Sequence, residues 1–196
     1  MQELTKRQNE IIQVSIKLIA KGGIQELTMK HIAREMSMTE PAIYRHFESK
    51  MDILEAILSR FEDFAAASAA KAKEQEQVNL DTIGKLVVSR FEKMSENPAL
   101  ATVIFSEELF RNEDRLSKKV YQIMQLHFEA MSGILEKCRQ QGCVRTDVPV
   151  SVMCHLIMGS IRLNVTRWRL SDYSFDLVEE GKKIWQALKI MFSPNP

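Results

Sequence analysis

The segment TEPAIYRHFESK, residues 39–50, places a phenol, a guanidinium, an imidazole and an ammonium close together around a proline. Each of these groups can donate to a phosphate oxygen or a base edge. Tyr44 joins an apolar ring to a phenolic tip suited to a phosphate. Lys50 brings a cation to the start of a helix, where free N–H groups also favour an anion. Arg45 can read a guanine bidentately or take a phosphate, and His46 can donate to either. Thr28 and Lys30, at the start of the preceding helix, can hold the backbone across a groove. The alternative for Tyr44, Lys50 and Lys30 is an ordinary solvated face.

Such residues act together only if short helices aim them. Thr28 is expected to cap a helix with inward Met29, Ile32, Ala33 and Met36, and SMT (37–39) reads as a tight turn. Thr39 caps the next helix, with Pro41 tolerated in its first turn. Ile43 and Phe47 face inward, and small Ala33 lets the two helices approach. This spacing is that of a helix-turn-helix, whose second helix fits a major groove about 12 Å wide. A helix from Thr5 to Lys21, stopped by Gly22 and Gly23, precedes the pair. Ser49 opens a fourth helix, with Asp52 as its capping-box partner and a stripe of Ile53, Leu54, Ile57, Leu58 and Phe61 that continues to about Lys73.

The 196 residues have 45% hydrophobic content, enough for a sizeable core, while the formal charge of +1 makes any cationic surface local. Few glycines and prolines and no alternating β-branched runs argue for an all-α fold. Further helices are expected from about Asp81 to Asn97, over ALATVIFSEELF (99–110), over 112–142, and at about 149–170 and 175–191. The polar stretch AKAKEQEQVNLD interrupts the apolar stripe between the fourth and fifth. No apolar run reaches the roughly 18 residues of a membrane span, and no signal peptide opens the chain, so a cytoplasmic location is expected. Cys138, Cys143 and Cys154 read as reduced thiols. No catalytic triad, phosphate loop, metal site or cofactor motif emerges, so the chain is not expected to be an enzyme.

The stretch LTMKHIAREMSMTEPAIYRHFESKMDILEAIL, with IYRHFESK as its most telling part, resembles the DNA-binding region of the TetR/AcrR family of transcriptional regulators. The later G-x-V-R-x-D turn is similar too; Ser37 departs by replacing the family's usual turn glycine. The resemblance implies a homodimeric repressor, with a three-helix DNA-binding domain over 1–48 and a helical bundle for effector binding and dimerisation over 49–196. It places Glu40 and Ala42 beside base edges, with Thr39 also among the DNA-binding residues; Glu40 can accept from cytosine and the Ala42 methyl can meet a thymine methyl. Glu40 can equally serve the helix dipole.

The resemblance also implies an effector among the C-terminal helices. Candidate lining residues are Phe91, Met94, Phe105, Leu109, Met124, His127, Phe128, Met131, His155, Met158 and Arg162, suited to an apolar or amphipathic small molecule. One module makes few phosphate contacts, so a dimer on a pseudo-palindromic operator is expected, its recognition helices about 34 Å apart. Gly159, Ser160, Leu163, Trp168, Phe175, Val178, Trp185 and Leu188 on the last two helices are the expected interface. The competing function is that of a TetR-fold assembly factor of the nucleoid-occlusion type, which binds DNA and a protein partner without a small ligand; NPALATVIFSEELFRNEDRL is loosely similar to that branch.

Overall fold

The structure, a computed structural model, describes residues 4–74, 76–105 and 113–194. Among these there are α-helices and a single 3-10 turn, Ile24–Glu26, and no strand. The helices are α1 (Lys6–Gly22), α2 (Met29–Glu35), α3 (Glu40–Tyr44), α4 (Lys50–Lys73), α5 (Leu80–Glu96), α6 (Pro98–Ile104), α7 (Asp114–Gln140), α8 (Val150–Leu170) and α9 (Leu177–Phe192). The all-α expectation holds. The expected ALATVIFSEELF helix is seen as α6 only as far as Ile104, and residues 106–112 lie outside the described residues. The 3-10 turn carried no sequence signal. It forms because Gly23, at φ +79°, turns the chain out of α1.

Two compact units divide the chain, residues 1–61 with 98–121 and residues 62–97 with 122–196. The boundaries therefore fall inside α4 and α7 and between α5 and α6.

In the first unit, the Thr5 hydroxyl accepts from the Gln8 N–H at 3.2 Å while the Gln8 side chain accepts from the Thr5 N–H at 3.0 Å, which starts α1 with a full capping box. Ile11, Ile12, Leu18 and Ile19 are buried along one stripe, and α6 packs against α1. Arg60 of α4 donates to Asn9 of α1. Arg115, in the first turn of α7, bonds Asp52 at 2.6 Å and also Glu55, tying α7 to the start of α4.

The second unit is organised by two reciprocal notches. Gly84 of α5 receives the Trp185 indole of α9, and Gly181 of α9 receives the Phe91 ring of α5. A Cβ at either glycine would overlap the ring, so glycine is required here by close approach. Both rings are buried. Lys189 bonds Asp81 at 2.6 Å at one end of this pair and holds that carboxyl below the usual range. The G-x-V-R-x-D turn has a structural role. The Arg145 N–H donates to the Phe192 carbonyl at 2.9 Å and its guanidinium to the Met191 carbonyl at 3.3 Å. Asp147 holds the guanidinium in place through two bonds of 2.6 Å. Arg145 thus caps the carbonyl end of α9.

The reduced-thiol expectation is corrected for two of the three cysteines. Cys138 and Cys143 form a disulfide, with Cα atoms 5.3 Å apart. Gly142 sits at φ +73°, the Cys143 N–H donates to the Cys138 carbonyl at 3.0 Å, and the Gly142 N–H donates to Arg139 at 3.0 Å. This helix-end motif folds the chain back so that the two residues meet. Cys154 is free and buried, and burial raises its thiol pKa.

Substituting Gly181 with alanine should destabilise the chain by about 1–3 kcal/mol through overpacking, measured by urea unfolding, and Phe91→Leu in the same chain should recover part of that loss.

Candidate nucleic-acid interface and effector site

The helix-turn-helix is built as its spacing predicts, with one unusual backbone residue. At the end of α2 the Met38 N–H donates to Ala33 at 2.8 Å and the Ser37 N–H to Arg34 at 3.2 Å. Ser37 itself adopts the left-handed conformation at φ +52°. The turn keeps the geometry a glycine would take, at a cost of about 1–2 kcal/mol for a residue with a side chain. Ile43 is fully buried and Phe47 nearly so, which fixes how α3 is rotated.

That rotation leaves Glu40, Tyr44 and Arg45 exposed, Tyr44 at 48%. Ala42 and His46 are half-buried, and the His46 carbonyl accepts from Gln8 Nε2 at 3.1 Å. Thr39 and Lys30 are exposed; Thr39 precedes α3 without a side-chain capping bond, so its hydroxyl does not serve the cap expected of it. The Thr28 hydroxyl accepts from the His31 N–H at 3.0 Å, as its capping role requires, and its own proton remains available to donate. Lys50 lies half-buried in the first turn of α4. The Ser49 hydroxyl accepts from the Asp52 N–H at 3.3 Å and donates to its carboxylate at 3.0 Å. The nine residues expected to face DNA thus all come from the α2 start, α3 and the entry to α4.

The residues expected around an effector separate. Phe91, Met94 and Met131 are buried, and Phe91 is committed to the Gly181 notch. Phe128, Met158 and Arg162 are half-buried. Met124 and His155 do not face an interior: Met124 is 43% exposed, and the Nδ1–H of exposed His155 donates to the Ser151 carbonyl at 2.7 Å while its ring meets Phe128 edge-on at 4.9 Å between ring centres. The correction has a simple cause. Met124 lies at the exposed flank of the buried stripe of Val120, Ile123, His127 and Met131 on α7, one edge too far round to be covered. Phe105 belongs to the first compact unit, and Leu109 lies outside the described residues. A shallow cleft of about 470 Å3 between α5 and α9, at Asp81, Lys85, Glu92 and Trp185, contains none of these candidates.

His127 is buried, and two effects hold its imidazole neutral with a pKa near 3: withdrawal from water first, then the positive charge of Arg90 on α5. Arg90 itself is pulled down to about 10 by desolvation. Sequence reading missed this arginine. Its signal was available, since Ile83, Val87, Arg90 and Met94 share one helical face.

The expected interface also separates. Gly159 has open space around it, Leu163 is 59% exposed, and Ser160, Phe175 and Val178 are half-buried. Trp168, Trp185 and Leu188, however, are buried within the chain. Trp185 fills the Gly84 notch, and Trp168 packs edge-on against Tyr173 at 4.7 Å between ring centres. The apolar surface that remains exposed on α8 comprises Val152, Leu156, Leu163 and Leu170, with Ile190 and Met191 exposed on α9. The described residues hold no cluster of His, Cys, Asp or Glu suited to a metal and no helix long and apolar enough to cross a membrane.

A helix-turn-helix aimed outward by buried Ile43 and Phe47, followed by a separate helical bundle, defines a DNA-binding regulator. The family model for bacterial regulatory proteins of the tetR family matches residues 11–57, and that for the C-terminal region of YsiA-like proteins matches residues 58–190. The chain belongs to the TetR family. Its regulators bind operator DNA, respond to small ligands and work as dimers. The chain is 23% identical to the fatty acid metabolism regulator protein of Bacillus subtilis over 96% of both chains. It is 22% identical to the nucleoid occlusion factor SlmA of Photobacterium profundum over 94% of both. The solved structure of the FadR regulator of Bacillus subtilis in complex with stearoyl-CoA superposes with a TM-score of 0.78 at 24% identity, covering 94% of this chain and 97% of that one.

The depressed His127 pKa makes stability depend on pH in one direction. Above pH 6.5 the imidazole is neutral folded and unfolded; below it the unfolded chain takes up a proton that the folded chain refuses until about pH 3. Chemical denaturation should therefore show about 2 kcal/mol less stability at pH 5 than at pH 7 from this group, a difference that His127→Gln removes.

Proposed function

We propose that this chain is a transcriptional repressor that leaves a pseudo-palindromic operator when a small amphipathic, acyl-bearing effector binds its C-terminal bundle. The observation that carries the DNA side is the burial of Ile43 and Phe47 beneath exposed Glu40, Tyr44 and Arg45, which turns one face of α3 outward. Tyr44, His46 and Lys50 anchor phosphates, with Thr28 and Lys30 across the groove, while Thr39, Glu40, Ala42 and Arg45 meet base edges. Residues 1–48 carry this role, residues 49–196 carry effector binding and pairing, and the protein works in the cytoplasm. An acyl effector is supported by the similarity to the fatty acid regulator and to the FadR structure with stearoyl-CoA.

The exposed stripe on α8 is proposed as the dimer surface. Val152, Leu156, Leu163 and Leu170 recur at near-heptad spacing, and open Gly159 in their midst admits a second helix closely. The similarity to the nucleoid occlusion factor supports a second reading, in which the same DNA-binding unit serves a protein partner.

Two measurements test the proposal. In fluorescence anisotropy against the operator selected from random DNA, Tyr44→Phe with Lys50→Ala should weaken binding at least tenfold and flatten the salt slope by about one. Unchanged affinity and slope would refute the docking. Release of that DNA by an acyl-CoA, and not by a protein partner, separates the two readings. Leu163→Glu should convert a dimer to a monomer by sedimentation at micromolar concentration while leaving helicity unchanged; a persistent dimer removes α8 as the interface.

A further inference from the structure

The disulfide of Cys138 and Cys143 stands in a chain proposed to work in the cytoplasm, where thiols are kept reduced. Disulfides of that compartment are usually transient and sensing rather than structural. The end of α7 brings the two cysteines together without needing the covalent bond. The Cys143 N–H donates to the Cys138 carbonyl at 3.0 Å and the Gly142 N–H to the Arg139 carbonyl at 3.0 Å, with Gly142 left-handed at φ +73°. Backbone bonds therefore hold the Cα atoms 5.3 Å apart, a separation from which a disulfide can close and open with little movement. Cys138 is fully buried and Cys143 half-buried, so a reagent from solvent reaches Cys143 first.

The turn between the cysteines grips a segment distant in the chain. The Gln141 side-chain oxygen accepts from the Val78 N–H at 2.8 Å, and its amide donates to the Glu76 carbonyl at 2.9 Å. The Cys143 sulfur lies 3.2 Å from the Val78 carbonyl. These contacts converge on residues 76–78, in the connection between α4 and α5, and Val78 is itself buried. Closing the disulfide puts Gln141 inside a covalent ring and reduces the freedom of the turn that presents it. It also removes the S–H that the dithiol form can donate to the Val78 carbonyl. A thiol is a weak donor, so the restriction of the turn is the larger effect.

We propose that Cys138 and Cys143 form a reversible oxidation site that takes low-molecular-weight disulfides, and that its state sets how firmly Gln141 holds the α4–α5 connection. The Cys143 thiolate attacks one sulfur of the small disulfide, forming a mixed disulfide and expelling one thiolate. The Cys138 thiolate then attacks the Cys143 sulfur; the S–S bond within the protein forms, the mixed S–S bond breaks and the second thiolate leaves. The two protein thiols lose two electrons and two protons, and the small disulfide gains both as it becomes two thiols. Excess thiol reverses both steps. The site rests on the cytoplasmic reading of the chain and is independent of the effector that releases DNA.

The test uses the full-length chain equilibrated with glutathione, from a large excess of the thiol to a large excess of its disulfide, then acid-quenched, unfolded, alkylated and weighed by mass spectrometry. Cys138 and Cys143 should both be alkylated at the reducing end and form one internal disulfide at the oxidising end, while buried Cys154 stays a thiol throughout. A disulfide that persists at the reducing end makes the pair a structural staple, and a dithiol that persists at the oxidising end removes the site. Either result overturns the proposal and leaves the repressor reading untouched. In Cys138→Ser, glutathione should accumulate on Cys143, and in Cys143→Ser, Cys138 should stay unmodified; the reverse pattern overturns Cys143 as the point of entry. By NMR, the Val78 amide should exchange with solvent about threefold or more slowly in the disulfide form than in the dithiol form, and Gln141→Ala should erase that difference. Equal exchange in the two wild-type forms overturns the hold on the connection. Should a variant fail to fold, the wild-type titration and the wild-type exchange rates decide.

Discussion

Two glycines facing two aromatic rings set the geometry on which the C-terminal unit depends. Gly84 admits Trp185, and Gly181 admits Phe91, so α5 and α9 can approach only in one register and one rotation. Two large rings buried at one contact contribute about 1.5–3 kcal/mol each in area alone. Their specificity comes from the notches, because Gly84 and Gly181 are the sole glycines of α5 and α9.

A second regularity is the way three helices end. α2, α7 and α8 each fold back through a left-handed residue, Ser37, Gly142 and Asp172 respectively. In each, the following residue donates to a carbonyl five positions earlier: Met38 to Ala33, Cys143 to Cys138, and Tyr173 to Trp168. This motif brings the side chains at its two ends together. The result differs with the residues present: a close helix approach in the DNA-binding unit, a disulfide after α7, and an aromatic pair after α8. One backbone device thus positions the recognition helix and closes two helices of the bundle.

Residues 39–50 carried most of the DNA-binding reading because their signals are local. Capping residues, a proline in the first turn and two inward apolar positions act within one or two helical turns, and the structure places Thr28, Ser49, Ile43 and Phe47 as those rules require. The effector and interface residues were less legible. An apolar stripe at helical spacing is the same pattern whether it faces the core, a cavity or a second subunit. Trp168, Trp185 and Leu188 therefore read as interface although they are core, while Val152, Leu156 and Leu170 passed unnoticed although they are exposed. Arg90 was passed over for the converse reason: a charged residue reads as surface even where, as here, its helical face is shared with Ile83, Val87 and Met94.

The sequence by itself determined the helical class, most helix boundaries and the identity of the outward-facing residues on α3, because propensity, capping and periodicity are set by neighbours a few positions away. Only the tertiary structure decided that residues 98–121 fold with the first 61, that Cys138 meets Cys143, that Arg145 caps a helix nearly fifty residues downstream, and that His127 is buried. These outcomes depend on the rotation and approach of helices distant in the chain. That geometry is selected by notches such as Gly84 and Gly181, whose partners no local pattern names.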